Sequence, residues 1–561
     1  MKSRFLFALL LVSVIAWGAA GTSTIMYSAQ PNAYFDDHAA DIKKFADGFF
    51  FVAGDWSEAS KRLAPSNNTW LDALRKNIAS LRKAGVSENF LGVSFGENAV
   101  WPSEQTLLGD AALAKMRAEF AATGRAAKSL GFRGVSIDVE YPYKRYVLDH
   151  PSWTYSGYTT EDLIAAAYRQ GQTAIAALLD EYPQAVILLL PGELYSTRRI
   201  GREFMRGILD EMARRDAPGG LHLGSEYTYT TGDALSTLAT ARMEDPLIAK
   251  LASPRAAAYW KRRGTMAPGV WPLHMVETGG KDYPVQPWKK EFAELREQMS
   301  LLRAVAKRYV WTFTANPIWY VHTPEIEARY GLRKQDLKRA DIDIRDCQLL
   351  MSERTAPPAK WSGAIESIRR YDRGELSPDQ LCDAFGTPGR WWVLGLLAHP
   401  RKLPQFAAVG AATAPIDRET THHGRDGALR WFPVSLYDPR GVVNCQYLFD
   451  WRATNASGAH FATYVHSTAA RRATLHLGWD DVVTVRCNDK IVFDTRDDAR
   501  QVKGLLYLDK YRFEKQLPIE LTAGRNKLVI TSTNDHGAWA FDVRITGEDG
   551  APLAGLRFGL E

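Results

Sequence analysis

Over its first three hundred residues the chain alternates short apolar runs with stretches in which apolar positions recur every three to four residues. TIMYSA (24–29) precedes NAYFDDHAADIKKF, DGFFFVAG (47–54) precedes WLDALRKNIASLRKAG, and NFLGVSFGE (89–97) precedes AALAKMRAEFAATGRAAKSLG. GVSIDVE (134–140), AVILLLPGE (185–193), GLHLGSEYTYT (220–230), APGVWPLHM (267–275) and YVWTFTA (309–315) continue the series. Short runs bounded by turn residues read as buried strands, and the longer periodic stretches read as amphipathic helices. Eight such steps predict a (β/α)8 TIM barrel over residues 22–322 rather than an open doubly wound sheet. No Gly-x-Gly-x-x-Gly follows the first strand, which argues against a dinucleotide-binding fold.

The pattern changes twice after the barrel. Residues 323–425 turn polar and helical, as in EIEARYGLRKQDLKRADIDIRDCQLLM and PDQLCDAF, and predict a helical linker region. His422-His423 within it has no carboxylate at ligand spacing and reads as a solvated loop. From 426 to 561 runs such as AHFATYV, ATLHLGW, VVTVRCN and RNKLVITST alternate with Gly, Asn and Asp turns, which predicts an all-β sandwich.

Composition narrows the function classes. The 561 residues exceed what one core supports, so several domains are expected. A formal charge of +6 without a long basic run gives no footprint for nucleic acid. Seventeen tryptophans suit aromatic surfaces for a ligand such as a sugar. The N-terminal MKSRFLFALLLVSVIAWGAAG has a basic start, an apolar centre and small residues, and reads as a signal peptide over 1–21. That centre is short of the roughly 20 residues a spanning helix needs, so a secreted or periplasmic protein without an integral span is expected once it is removed. An uncleaved anchor is the alternative. Cys347, Cys382, Cys445 and Cys487 lack metal-like spacing, and the sequence carries no cofactor signature. Export permits disulfides, most locally 347–382 and 445–487; four buried thiols fit equally well. Oligomeric state leaves no signal in the sequence.

The densest candidate chemistry lies in GFRGVSIDVEYPY (131–143). As a strand of period two it sends Val135, Ile137 and Val139 to one face and Ser136, Asp138 and Glu140 to the other. Same-face neighbours lie about 7 Å apart, so Asp138 and Glu140 can act on one ligand at the C-terminal tip, where barrel enzymes carry their sites. Ser94, Glu97, Glu193, Glu226, Tyr227, His274, Glu277, Trp311 and Trp319 fall at other tips. Alternation in GLHLGSEYTYT points Glu226 into the mouth and Tyr227 away from it unless the strand bends. Glu193 and Glu277 read as solvated loop acids.

GFRGVSIDVEYP resembles the fourth-strand signature of glycoside hydrolase family eighteen, DGxDxDxE followed by Tyr-Pro. It keeps Gly134, Asp138, Glu140, Tyr141 and Pro142, while Arg133 and Ser136 replace the first two aspartates. Ser94-Phe95-Gly96 matches part of that family's third-strand Ser-x-Gly-Gly. The resemblance implies a hydrolase of oligo- or polysaccharides in which Glu140 protonates the glycosidic oxygen and Asp138 stabilises an acetamido group acting as internal nucleophile. It further implies substrate contacts from Ser94, Tyr141, Tyr227 and Trp311, and Trp319 joins them as a candidate by its place at a tip. For a sugar without an acetamido group, Glu226 is the second carboxylate, as nucleophile or base. Residues 480–494 and 521–545 resemble the galactose-binding-like jelly rolls appended to secreted polysaccharide-degrading enzymes; there Gly524 and Asn526 make a turn and Trp539 and Phe541 fill the core. A non-catalytic carbohydrate-binding protein and an extracytoplasmic assembly protein are the competing classes.

Overall fold

A computed structural model describes residues 21–561 apart from 56–58, 60, 65, 67, 95–108, 140–158, 193–198, 280–284, 333–338, 340, 399–413, 450–454, 496–512, 514 and 537–538. The signal segment, Glu97, Glu140, Tyr141 and Glu193 lie outside the described residues.

Eight parallel strands close into the expected barrel: β1 (Ser23–Ala29), β2 (Gly48–Asp55), β3 (Phe90–Ser94), β4 (Gly134–Asp138), β5 (Val186–Leu190), β6 (Leu221–Ser225), β7 (Thr265–Val270) and β8 (Tyr309–Thr312), with β8 returning to β1. Helices follow most strands, and their ends explain where strands begin. Helix Asp110–Leu130 stops at Gly131, whose φ of 80° is the left-handed cap that glycine favours, and β4 starts three residues later. Helix Thr160–Glu181 opens with a capping box between Thr159 and Asp162. It packs against helix Arg199–Arg215, where each helix presents a glycine: a Cβ on Gly171 or Gly207 would lie 2.1 Å from a carbonyl oxygen of the other.

Alternation along the barrel strands sorts their apolar residues into two layers. Val135, Ile137 and Val139 join Ile187, Leu189, Leu221 and Leu223 in the core under the helices. The inward set, including Ile25, Phe50, Phe90, Leu188, Ala267, Tyr309 and Trp311, fills the barrel. At its N-terminal end Tyr309 donates to Glu88 (2.6 Å), and the Arg133 and Arg308 guanidinium groups flank that carboxylate at 3.6 and 3.7 Å. His222 meets the Tyr309 ring edge-on at 4.9 Å, and complete burial pushes its pKa down to about 3. This buried plug serves stability, as the bottom face of a barrel usually does.

Helices Ile344–Ser352, Ser362–Arg373 and Pro378–Ala384 follow the barrel and pack on it. Fully buried Arg242 holds Asp372 across this junction at 2.9 Å, with Asp245 of its own segment at 3.4 Å. Among the described residues the sandwich has a seven-stranded and a four-stranded sheet. It takes in strand Arg390–Ala398, which lies inside the stretch expected as linker, because RWWVLGLLA pairs on both sides, with Phe432–Ser435 and Ser457–Ser467. His422–His423 pairs with Ala428–Leu429 as a short hairpin. Trp539 is a core residue at 1% exposure, stacked on Phe449 and donating to Ser532 Oγ. Gly524 takes a φ of 88°, and the Asn526 side chain closes the turn by accepting from Thr522 N. Of the two cysteine readings, the structure has the four buried thiols. Burial raises all four thiol pKa values.

Candidate active site

At the tip of β4 the inward row of Ser136 and Asp138 stands as the alternation predicts, both buried. Asp138 lies in register with Ser94 of β3 on one side and Leu190 of β5 on the other. Its Oδ2 accepts a hydrogen bond from the Tyr27 hydroxyl at 3.1 Å. Tyr27 is on β1, so this bond spans the barrel interior and ties two non-adjacent strands at the mouth. A phenol donating to a buried carboxylate orients it and compensates part of its lost hydration.

Half-buried aromatic rings stand beside this pair. Tyr27 contacts Trp311 at 6.0 Å and Phe313 at 5.5 Å between centroids. Tyr229 contacts Trp311 at 5.6 Å, Phe313 at 6.2 Å and Trp271 at 5.6 Å. Trp271 meets Phe313 edge-on at 4.8 Å and His274 at 4.6 Å. The wall is supplied by β1, the turn after β6, and the ends of β7 and β8. The turn Tyr227–Thr230 is fixed to β7 by Thr228 Oγ1, which donates to Gly269 O at 2.6 Å. Among the sequence candidates, neither Tyr27, Tyr229, Trp271 nor Phe313 was singled out. Tyr27 and Phe313 do share the inward face with Ile25 and Trp311, each two positions further along.

The other candidates divide. Trp311 lies on the barrel axis side, yet it is 1% exposed and donates its indole N–H to Ala267 O at 2.9 Å, so the other rings bury it. Trp319 is buried outside the barrel, stacked on Phe35 at 4.6 Å with Tyr34 and Tyr320 around it. Tyr227 faces the outer core, as the alternation indicates, and the Arg440 guanidinium of the sandwich sits 5.4 Å from its ring centroid. Neither of these two is brought to Asp138. Glu226 directly follows β6, half-buried, at the head of the turn that carries Tyr229. Ser94 is placed beside Asp138 by strand register. Glu277 departs from the solvated acid expected of it. It accepts from Trp271 Nε1, Ala315 N, Asn316 N and Asn316 Nδ2, so it locks the β7 loop to the residues after β8 and with them the Trp271–Phe313 contact.

No family model and no curated protein matches the chain. Among solved structures it is similar to an exo-β-1,4-mannosidase from Opitutaceae bacterium strain TAV5, at 14% identity over 55% of each chain with a TM-score of 0.34. The chain thus spans about half the length of that enzyme. It is similar to a GH18 chitinase from Pseudoalteromonas aurantia at 9% identity, over 52% of this chain and 94% of that one, with a TM-score of 0.29. It is also similar to a morphinone reductase at 12% identity, over 52% and 81% of the two chains, with a TM-score of 0.30. At these identities the likeness is one of fold, which hosts many chemistries.

Proposed function

We propose that the protein is an exported glycoside hydrolase that cleaves an oligo- or polysaccharide at the mouth of the barrel. The observation that carries this reading is the buried Asp138 carboxylate, held by Tyr27 at 3.1 Å beside a wall of half-buried aromatic rings. Pyranose rings present an apolar face to aromatic side chains and hydroxyls to carboxylates, so this combination suits a sugar better than an anionic or wholly apolar ligand. Glu140, two residues beyond Asp138, is assigned as the general acid. Asp138 is assigned the stabilisation of an acetamido nucleophile, its orientation set by the Tyr27 hydroxyl. Export rests on the composition of residues 1–21.

A two-carboxylate mechanism is the second reading, favoured by the position of Glu226 immediately after β6 and half-buried. With Glu226 as nucleophile or base no acetamido group is required of the substrate. The two readings separate on a panel of aryl glycosides assayed with purified full-length protein. Activity confined to N-acetylhexosaminides and abolished by Asp138→Asn supports the acetamido route. Activity on plain hexosides that Glu226→Gln removes supports the other. A wild-type protein inert toward the aryl glycosides and toward intact polysaccharides would refute the hydrolase reading itself.

A further inference from the structure

A cavity next to the aromatic rings has a volume of about 520 Å³, inside the range of small-molecule sites. It is lined by Tyr229 and Trp271, the loop that starts helix Ala234–Thr240, helix Trp288–Val305 and the turn Ala359–Trp361. Tyr229 and Trp271 thus belong both to the ring cluster beside Asp138 and to the lining of this chamber.

The polar groups facing this chamber differ in how fully the protein uses them. The carboxylates on its walls are largely balanced: Asp233 by Arg544 at 3.1 Å, Glu291 by Arg339 at 3.1 Å, and Glu294 by Lys290 at 3.9 Å. Among the described residues Glu297 has no cation partner and Lys360 no carboxylate partner, so the lining is left with one unpaired charge of each sign and no net excess. Hydrogen-bonding capacity remains open elsewhere among the described residues. One oxygen of Glu297 accepts from the Trp361 indole at 3.0 Å, and the other has no protein donor. The Gln298 amide nitrogen donates to Thr228 O and Thr231 Oγ1 while its oxygen accepts nothing. The Gln286 side-chain amide makes no protein hydrogen bond, and the Lys360 ammonium lies over the Trp361 ring at 4.9 Å with no carboxylate partner. Balanced charge, open amide and carboxylate acceptors, two kinds of donor and flanking tryptophan and tyrosine form the recognition set of a neutral polyhydroxyl ligand.

We infer that this chamber is a secondary sugar subsite that holds the units of an uncharged glycan lying beyond those at Asp138. It deepens the carbohydrate reading and rests on it for the class of ligand. The geometry makes affinity depend on chain length, because only a glycan long enough to pass Tyr229 and Trp271 occupies both places.

Calorimetric titration of the full-length protein with manno-, cello- and N-acetylchito-oligosaccharides of two to six units tests this. For one series the wild type should gain at least tenfold in affinity between the shortest and the longest member. Gln286→Ala removes an amide and exposed Glu294→Trp fills the entrance; each should erase most of that gain, while thermal melts show both still folded. An affinity that does not grow with length in any series, or growth that survives both variants within twofold, would overturn the inference. So would a wild type that binds none of the three series at millimolar concentration. Hydrolysis is scored separately: length-dependent binding lost in both variants but without any bond cleavage leaves the chamber standing and removes the hydrolase reading. Cleavage with unaffected length dependence does the reverse.

Discussion

Asp138 is the residue on which the site turns, and at the mouth it accepts from a phenol on a strand that does not touch β4. Tyr27→Phe removes that donor and keeps the ring contacts with Phe50, Trp311 and Phe313. A hydrogen bond to a charged group is worth about 1.5–3 kcal/mol, so turnover should fall roughly 10- to 100-fold with little change in melting temperature. Equal turnover in the variant would show that Asp138 is oriented by something else. The inward row was legible because a period of two leaves no freedom once one face is oily. Tyr27 was not: the bond that gives it meaning joins residues 111 positions apart, and no local pattern contains it.

At the scale of elements, β8 shows the same limit. Its inward residues Tyr309, Trp311 and Phe313 follow from alternation, but which of them meets solvent depends on rings from β1 and from the turn after β6. Trp311, expected beneath a sugar, is instead packing between Tyr27 and Tyr229. Trp311→Ala should therefore cost about 3–5 kcal/mol of stability, seen as a lower urea midpoint, as large-to-small changes in a core do. A platform open to ligand would give a variant of normal stability and poor binding. Glu277 escapes the local pattern for a related reason: three of its four donors lie 38 or 39 residues away, and the Gly- and Pro-rich loop around it carries no sign of them. Strand Arg390–Ala398 is a single apolar run inside a polar stretch, and its pairing with Ser457–Ser467 leaves no local signal.

For the whole molecule, barrel and sandwich are joined by buried arginines of the second domain. Arg544 holds Asp233 and reaches Ser236 at the start of helix Ala234–Thr240, and Arg440 lies over Tyr227. Both contacts fall on the segment that follows β6 and carries Glu226 and Tyr229. Arg544→Met should cost about 1–3 kcal/mol, less than breaking a fully buried pair because Asp233 is 44% exposed. It should also weaken substrate binding; unchanged stability and unchanged KM would show that the domains are independent. Acid sensitivity is a second property of the whole. Burial depresses His222 to about 3 and His460 and His476 to about 4, all below the unfolded value of 6.5. The unfolded chain then binds more protons, so stability is full above about pH 6.5 and declines as pH falls toward 4. Asp383, raised to about 6 by burial, opposes that trend between about pH 4 and 6. Chemical denaturation at pH 7.5, 5.5 and 4.5 should show the net decline, and His222→Leu should flatten it; a midpoint that rises on acidification would contradict the assignment.

The proposal that the tip of β4 cleaves glycosidic bonds is tested most directly by comparing Glu140→Gln with wild type on a native glycan and on its activated aryl glycoside. General acid catalysis contributes about 10²- to 10⁴-fold, so turnover of the native glycan should fall by that order. The aryl glycoside should suffer far less, because its leaving group needs little protonation. A folded Glu140→Gln variant that still hydrolyses the native glycan at a near-normal rate would contradict the account.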